Sequence, residues 1–301
     1  MFRILTGLAV AAALVAAKEN DRGRPIVLLV HGRGMLDRDT AATRKMWVDA
    51  ISSGSGTVNG QPLYSSRDVR VVWYADVLDP RSASGCDYAN GDARARRSNP
   101  DPELRDVLST AGSLLGAITA MVDDSGAAGQ LRALSADAAF LTDARKRCAA
   151  EQRLGDAIDR ARGEGRPVIL VAHSLGAVVA YDYLSARTDT GAVERLITIG
   201  SLVGSPDLRR LLIGGDGSDS LTRPSSVKSW INVRNENDWF AAPITVGKDV
   251  LTSAPTNEPD PHEMVGYLRG SATNAEVAAD WCAAFVSKAP ASCASVRPPA
   301  P

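Results

Sequence analysis

Hydrophobic runs alternate with amphipathic segments along most of the chain. Five short apolar runs have the length and the β-branched composition of strands that are buried in a sheet. They cover residues 25–30, 69–74, 168–172, 195–200 and 228–233. Segments with helical periodicity lie between these runs, for example at residues 40–51 and 156–162. Strands that alternate with helices predict an α/β fold, with a mostly parallel sheet and helices on both of its faces.

The distance along the chain between the second and third runs is far longer than a crossover helix requires, which predicts an insertion at residues 79–150. Apolar positions between residues 104 and 118 recur at helical spacing, whereas Gly126 and Gly129 indicate a break. We therefore expect a helical insertion before the third strand. It would act either as a lid over the functional site or as a decoration that only covers the core.

The two ends of the chain differ in composition from the part between them. Residues 1–17 carry Arg3 ahead of an apolar stretch, and Val15 and Ala17 have the small size that a cleavage site needs. This pattern predicts a signal peptide and a secreted, periplasmic or cell-envelope protein, with an uncleaved N-terminal anchor as the alternative. Residues 18–301 suit a single domain, in which residues 288–301 form a flexible, proline-rich tail.

The four cysteines form an even set, which permits disulfides in a chain that is exported. We expect Cys282 to pair with Cys293, which would tie the last helix to the tail. Cys86 would then pair with Cys148 and close the insertion. Four separate thiols are the alternative, which export makes less favourable. The cysteines and histidines show no zinc-binding spacing.

The charge of the chain gives no sign of a nucleic-acid partner. The formal net charge is -1 and the sequence pI is about 6.3, whereas nucleic-acid-binding domains concentrate Lys and Arg on one face. No feature of the sequence calls for a metal or an organic cofactor, and none bears on the oligomeric state.

The most specific motif is the sequence Ala-His-Ser-Leu-Gly at residues 172–176, which follows the third apolar run and precedes a helical segment. A serine between a strand and a helix matches the nucleophile elbow, in which a sharp turn exposes the serine oxygen above the sheet. Ala172 stands where the usual motif has glycine. Because a methyl group is the smallest addition at a crowded turn, we expect alanine to fit.

A serine hydroxyl becomes a good nucleophile only when a neighbouring base accepts its proton, and histidine suits that task near neutral pH. The chain contains only three histidines. His31 ends the first strand, and His173 directly precedes Ser174, so its side chain points away from the serine side chain. Elimination leaves His262, which lies in a loop after the last predicted strand, as the base.

A carboxylate that orients the base is expected between the serine and the histidine in sequence, after a late strand. Asp238 follows the fifth predicted strand and is the first choice. Glu236 is the near alternative, and Asp207 would serve if the acid followed the preceding strand. Asp249 and Asp260 are weaker candidates.

These features together resemble an α/β-hydrolase of the lipase or esterase kind. The resemblance rests on the strand end at residues 31–32, the elbow at 172–176, residues 199–201 after the next strand, Asp238 and His262. Some short bacterial lipases also carry alanine at the first elbow position. The resemblance implies an oxyanion hole formed by the backbone N–H groups of Leu175 and Arg33, with Gly34 as a less favoured donor.

The resemblance further implies a secreted serine hydrolase that cleaves carboxylic esters through an acyl-enzyme. Ser174, His262 and Asp238 would form its catalytic triad. An acyltransferase or a thioesterase would use the same triad, and a catalytically silent binding protein could keep the same fold. The expected substrate is a small-molecule or lipid ester, with transient contact at lipid surfaces. Trp239 and Phe240, beside the expected acid, either line an acyl pocket or belong to the core.

Overall fold

The chain forms a sheet of six strands, all parallel, with helices on both faces, which confirms the predicted α/β class. This computed structural model describes residues 22–54, 57–58, 61–79, 81–89, 92, 139–205, 208, 221–252, 260–286 and 288–296. The predicted signal peptide, most of the predicted insertion and Asp207 lie outside the described residues.

The sheet has the strand order β4-β1-β5-β6-β7-β8. Its strands are β1 (Ile26–Val30), β4 (Val69–Val72), β5 (Val168–His173), β6 (Val193–Ile199), β7 (Val227–Asn235) and β8 (Lys248–Thr252). A separate antiparallel pair consists of β2 (Thr57–Val58) and β3 (Gln61–Pro62). The helices are α1 (Thr40–Gly54), α2 (Ala75–Leu78), α3 (Ala144–Gly163), α4 (Leu175–Ala186), α5 (Met264–Arg269) and α6 (Ser271–Ala283). A short 3₁₀ helix at Ala291–Ser295 follows them.

The central strands have an apolar core on each side. In β1, Ile26, Leu28 and Val30 belong to the core that includes side chains from α2, α3 and α4. Val27 and Leu29 belong to the opposite core, with side chains from α1, α5 and α6. All of β1 is buried because successive side chains of a strand point to opposite faces and both faces are covered.

The edge strand β8 was not predicted. Its burial alternates between partly buried and exposed residues, and it begins with the charged residues Lys248 and Asp249. An edge strand with one neighbour does not need the continuous apolar run that marks a central strand. Among the described strands it pairs only with β7, where Val233 lies opposite Val250.

Both expected disulfides are present. Cys86 is bonded to Cys148 and Cys282 to Cys293, with 5.5 Å between the Cα atoms in each pair. Such bonds are typical of proteins that fold in an oxidising compartment outside the cytoplasm. Within the described ranges, no helix combines the length and the apolar character needed to cross a bilayer.

Gly176, in the first turn of α4, lies against the end of β1. A Cβ atom at this position would be 2.3 Å from the carbonyl oxygen of His31 and 2.8 Å from that of Val30. We expect Gly176→Ala to lower the free energy of unfolding by about 1–3 kcal/mol, because backbone atoms must move to admit the methyl group. Urea denaturation measures this change.

Gly163, near the end of α3, provides the matched control. A Cβ atom there would meet no atom within 4 Å. We expect Gly163→Ala to stabilise the protein slightly, because alanine loses less backbone entropy on folding. Equal stability of the two variants would contradict the assigned contact.

Candidate active site

The loops that carry the predicted site residues leave the sheet at one edge. Because β1, β5, β6 and β7 are parallel, their carboxyl ends meet there, and His31, Ser174, Gly200 and Asp238 follow those ends. In open α/β sheets this edge is where ligands bind. The fold therefore brings together residues that are far apart in sequence.

Ser174 lies on a strained turn between β5 and α4. Its backbone has φ 51° and ψ −123°, and no other described non-glycine residue has a positive φ. Such a conformation is costly for a residue with a side chain, and it persists only where the surroundings enforce it. Its amide donates a hydrogen bond to the carbonyl of Ile199 at 3.1 Å. Ala172 lies within β5 and pairs with Val30 and Thr198, so alanine needs no special backbone there.

The structure brings Ser174, His262 and Asp238 into one hydrogen-bonded chain. Nε2 of His262 lies 3.0 Å from Oγ of Ser174. Nδ1 of His262 lies 2.9 Å from Oδ2 and 3.0 Å from Oδ1 of Asp238. If Nδ1 carries the proton and donates to the carboxylate, Nε2 can accept the proton of the serine hydroxyl.

Asp238 is buried, and its carboxylate has three hydrogen-bond donors. Oδ2 accepts from the hydroxyl of Tyr267 at 2.7 Å, and Oδ1 accepts from the amide of Phe240 at 2.9 Å. Burial alone would raise the pKa of Asp238. The hydrogen bonds from His262, Tyr267 and Phe240 outweigh burial and hold the pKa below its usual range. This carboxyl group is therefore ionised where a triad needs a negative charge.

The alternative acids have other surroundings. Glu236 is exposed. Asp249 forms an ion pair with Arg234 and also accepts a hydrogen bond from Asn232. Asp260 accepts the backbone amide of His262 at 2.8 Å, so it orders the loop rather than the imidazole.

The residues expected to form the oxyanion hole lie beside Ser174. Leu175 is the first residue of α4, where backbone N–H groups have no partner within the helix. Arg33 lines both of the cavities that Ser174 lines. Gly34 has φ +74° and lines only the larger of those cavities. Gly32 approaches so closely that a Cβ atom there would lie 2.8 Å from Cβ of Ser174.

Two cavities meet at Ser174. The larger has a volume of about 320 Å³, and Trp239 at its mouth is 88% exposed. Its other apolar walls are Met35, Met46, Trp47, Phe240, Pro261 and Met264. The smaller cavity has a volume of about 50 Å³, and its apolar walls are Leu141, Leu175, Val178, Leu202 and Leu208. Both cavities therefore offer an apolar surface next to Ser174.

The two histidines set aside as candidate bases also lie at the site, a role that sequence reasoning missed. Nε2 of His173 lies 2.7 Å from the carbonyl oxygen of His262, to which it must donate. Burial is the main reason that the pKa of His173 is lowered to about 3. His31 contacts the carbonyl of Gly32 and the amide of Tyr74, and burial lowers its pKa to about 4.

Comparison with known proteins does not place this chain in a family. No protein-family model matches the chain, and a search of curated proteins found no match. In the part of the chain that the structure describes, no group of three or more His, Cys, Asp or Glu side chains is arranged to hold a metal ion.

The buried histidines make the stability of the fold depend on pH. In the unfolded chain His31 and His173 take up protons below about pH 6.5, whereas in the folded chain they stay neutral until about 4 and 3. As the pH falls from about 7 to about 5, each of these two histidines should therefore lower the free energy of unfolding by about 2 kcal/mol. Asp280, whose pKa burial raises to about 6, opposes this loss by about 1 kcal/mol.

Urea denaturation of His173→Gln at the two pH values checks this. Glutamine can still donate to the carbonyl of His262 but does not titrate, so we expect the pH-dependent loss to shrink by about 2 kcal/mol. The wild-type protein is the control. An equal loss in both proteins would show that His173 titrates normally in the folded state.

Proposed function

We propose that this protein is a serine hydrolase that cleaves carboxylic esters and has an α/β-hydrolase fold of the lipase or esterase kind. The observation that carries the proposal is the chain from Ser174 through His262 to Asp238, with the serine on a strained turn at the carboxyl edge of the sheet. The ordinary structural roles of a serine at a turn and a histidine in a loop do not require this geometry. Nucleophilic catalysis does need it.

In the first half of the proposed reaction, Oγ of Ser174 attacks the carbonyl carbon of the ester while Nε2 of His262 accepts the hydroxyl proton. The carbonyl oxygen becomes an oxyanion, which the N–H groups of Leu175 and Arg33 stabilise. The bond to the leaving alcohol then breaks, and His262 donates its proton to that alcohol. The product is an acyl group on Ser174.

In the second half, water attacks the acyl group while His262 again accepts a proton. Collapse of the second oxyanion breaks the bond to Oγ of Ser174, which takes the proton back from His262, and the carboxylic acid is released. Asp238 keeps its negative charge throughout and stabilises the imidazolium that forms in each half. Its three hydrogen-bond donors support that role, because they favour the ionised carboxylate.

The proposed substrate is a small-molecule or lipid ester with apolar groups, because both cavities at Ser174 have mainly apolar walls. The exposed Trp239 at the mouth of the larger cavity suits transient contact with a lipid surface. The two disulfides support export, for which the signal peptide remains a prediction. Residues 93–138, which belong to the predicted insertion, lie outside the described residues.

A fluorophosphonate probe tests the nucleophile. We expect the wild-type protein to be labelled with one probe per chain at Ser174, because the probe reacts with an activated serine. Ser174→Ala should remain folded and unlabelled, and intact-protein mass spectrometry measures both results. A folded wild-type protein that does not react would refute the proposed function.

Substitution of the acid tests the triad. We expect Asp238→Asn to lower kcat for p-nitrophenyl butyrate by about 10⁴-fold, because the amide favours the wrong imidazole tautomer. Glu236→Gln is the matched control, since Glu236 is exposed two residues away, and its kcat should stay within about twofold of the wild type. A large loss in the control with little loss in Asp238→Asn would assign the acid to Glu236 instead.

A further inference from the structure

His31 is held on every side at the end of β1. The ring stacks on that of Tyr74, with 4.0 Å between centroids and 13° between planes, and the ring of Trp73 lies 4.9 Å away. The hydroxyl of Tyr74 donates to the carbonyl oxygen of His31 at 2.7 Å. His31 is only 1% exposed. The imidazole is therefore enclosed by its neighbours.

The contacts of the ring also fix its tautomer. The backbone amide of Tyr74, which can only donate, lies 3.0 Å from Nε2 of His31. Nε2 must therefore be the unprotonated nitrogen. In the neutral imidazole the proton is then on Nδ1, which donates to the carbonyl oxygen of Gly32 at 2.7 Å.

This hydrogen bond determines the orientation of the next peptide group. The carbonyl of Gly32 and the N–H of Arg33 belong to one planar peptide, and no cis peptide occurs in the described residues. In a trans peptide the two groups point in opposite directions. When Nδ1 of His31 holds the carbonyl on one side, the Arg33 N–H points to the other side.

In the proposed function that other side faces the reacting carbonyl, and the peptide lies next to the nucleophile. Gly32 is in close contact with Ser174, and Arg33 lines both cavities that meet at the serine. A peptide rotated by half a turn would instead present the Gly32 carbonyl oxygen to the oxyanion and repel it. One hydrogen bond therefore separates a formed oxyanion hole from a blocked one.

We propose that His31 is a positioning residue that forms the oxyanion hole by holding the Gly32–Arg33 peptide in the orientation that catalysis needs. The inference rests on the proposed hydrolase function. It assigns to a histidine outside the triad a role in stabilising the transition state, which it performs through the backbone of Arg33.

Two substitutions separate this role from a merely structural one. In His31→Asn the amide nitrogen is as far from Cβ as Nδ1, so it can still donate to Gly32 but cannot reach the Tyr74 amide. In His31→Gln the terminal group is as far from Cβ as Nε2, so it can accept from Tyr74 but places no donor near Gly32. Each variant loses the ring and one of two buried hydrogen bonds, so their stabilities should be similar.

We expect His31→Gln to lower kcat for p-nitrophenyl butyrate by about 10- to 100-fold, with KM within about twofold of the wild type, because an oxyanion hole acts in the transition state. The affinity for phenylboronic acid, whose adduct with serine places an oxygen in the hole, should fall in parallel. His31→Asn should retain at least about ten times the kcat of His31→Gln. Tyr181→Phe, which loses a partly buried hydrogen bond to the carbonyl of Thr222, controls for stability alone.

Equal kcat values in the Asn and Gln variants would overturn the inference, whether both fall or neither does. If either variant fails to fold, nitrogen NMR of the wild-type imidazoles decides, since the inference requires a proton on Nδ1 of His31 and none on Nε2. The opposite tautomer would overturn it. A wild-type protein that neither hydrolyses esters nor reacts with a fluorophosphonate would remove the proposed function and this inference together. A labelled, active wild type with insensitive His31 variants would remove only the inference.

Discussion

The close contact between the start of α4 and the end of β1 is the constraint on which the site depends. Gly176 has no side chain, so the helix backbone rests directly on the carbonyl oxygens of Val30 and His31. This contact holds the serine turn next to the loop that follows β1. Because parallel strands end at the same edge of the sheet, the loops that carry Asp238 and His262 also reach Ser174, from the side of β6 and β7. A larger residue at 176 would move the two halves of the site apart.

The central part of the fold could be predicted because buried parallel strands require continuous apolar runs. β1 and β5 have such runs and are fully buried. β8 could not be predicted in the same way, since a half-exposed edge strand that contains Lys248 and Asp249 has no such run. The two disulfides were predictable because four cysteines allow only three pairings, and the predicted signal peptide favours disulfides over free thiols.

At the site, chain order and the scarcity of histidine were enough to select Ser174, His262 and Asp238, which the structure brings together. The contacts of His31 and His173 could not be predicted. Their roles depend on which backbone carbonyl each ring faces, and no spacing in the sequence encodes that. Chain order set both residues aside as bases that the serine does not need. In the structure each ring instead bonds to a backbone carbonyl of a neighbouring loop. The residue types pointed to the chemistry, but only the fold shows how the parts are aligned.

Several features of the site lower the stability of the folded protein. Ser174 keeps a backbone conformation that few side chains tolerate, and two imidazoles are buried in neutral form. Such strain and desolvation persist only where the surrounding structure is rigid, and functional sites are the usual location. Here the rigidity comes from two apolar cores that enclose the sheet from both faces.

The placement of the histidines has a consequence for the outer surface. The chain has three histidines, and all of them contact the same site. Histidine is the side chain that ordinarily changes charge between about pH 5 and pH 8, and no histidine lies elsewhere in the sequence. Changes in the charge of the surface outside the site therefore come from carboxyl groups at the acid end of that interval and not from imidazoles. Attraction to charged surfaces would then not depend on the protonation of an imidazole outside the site.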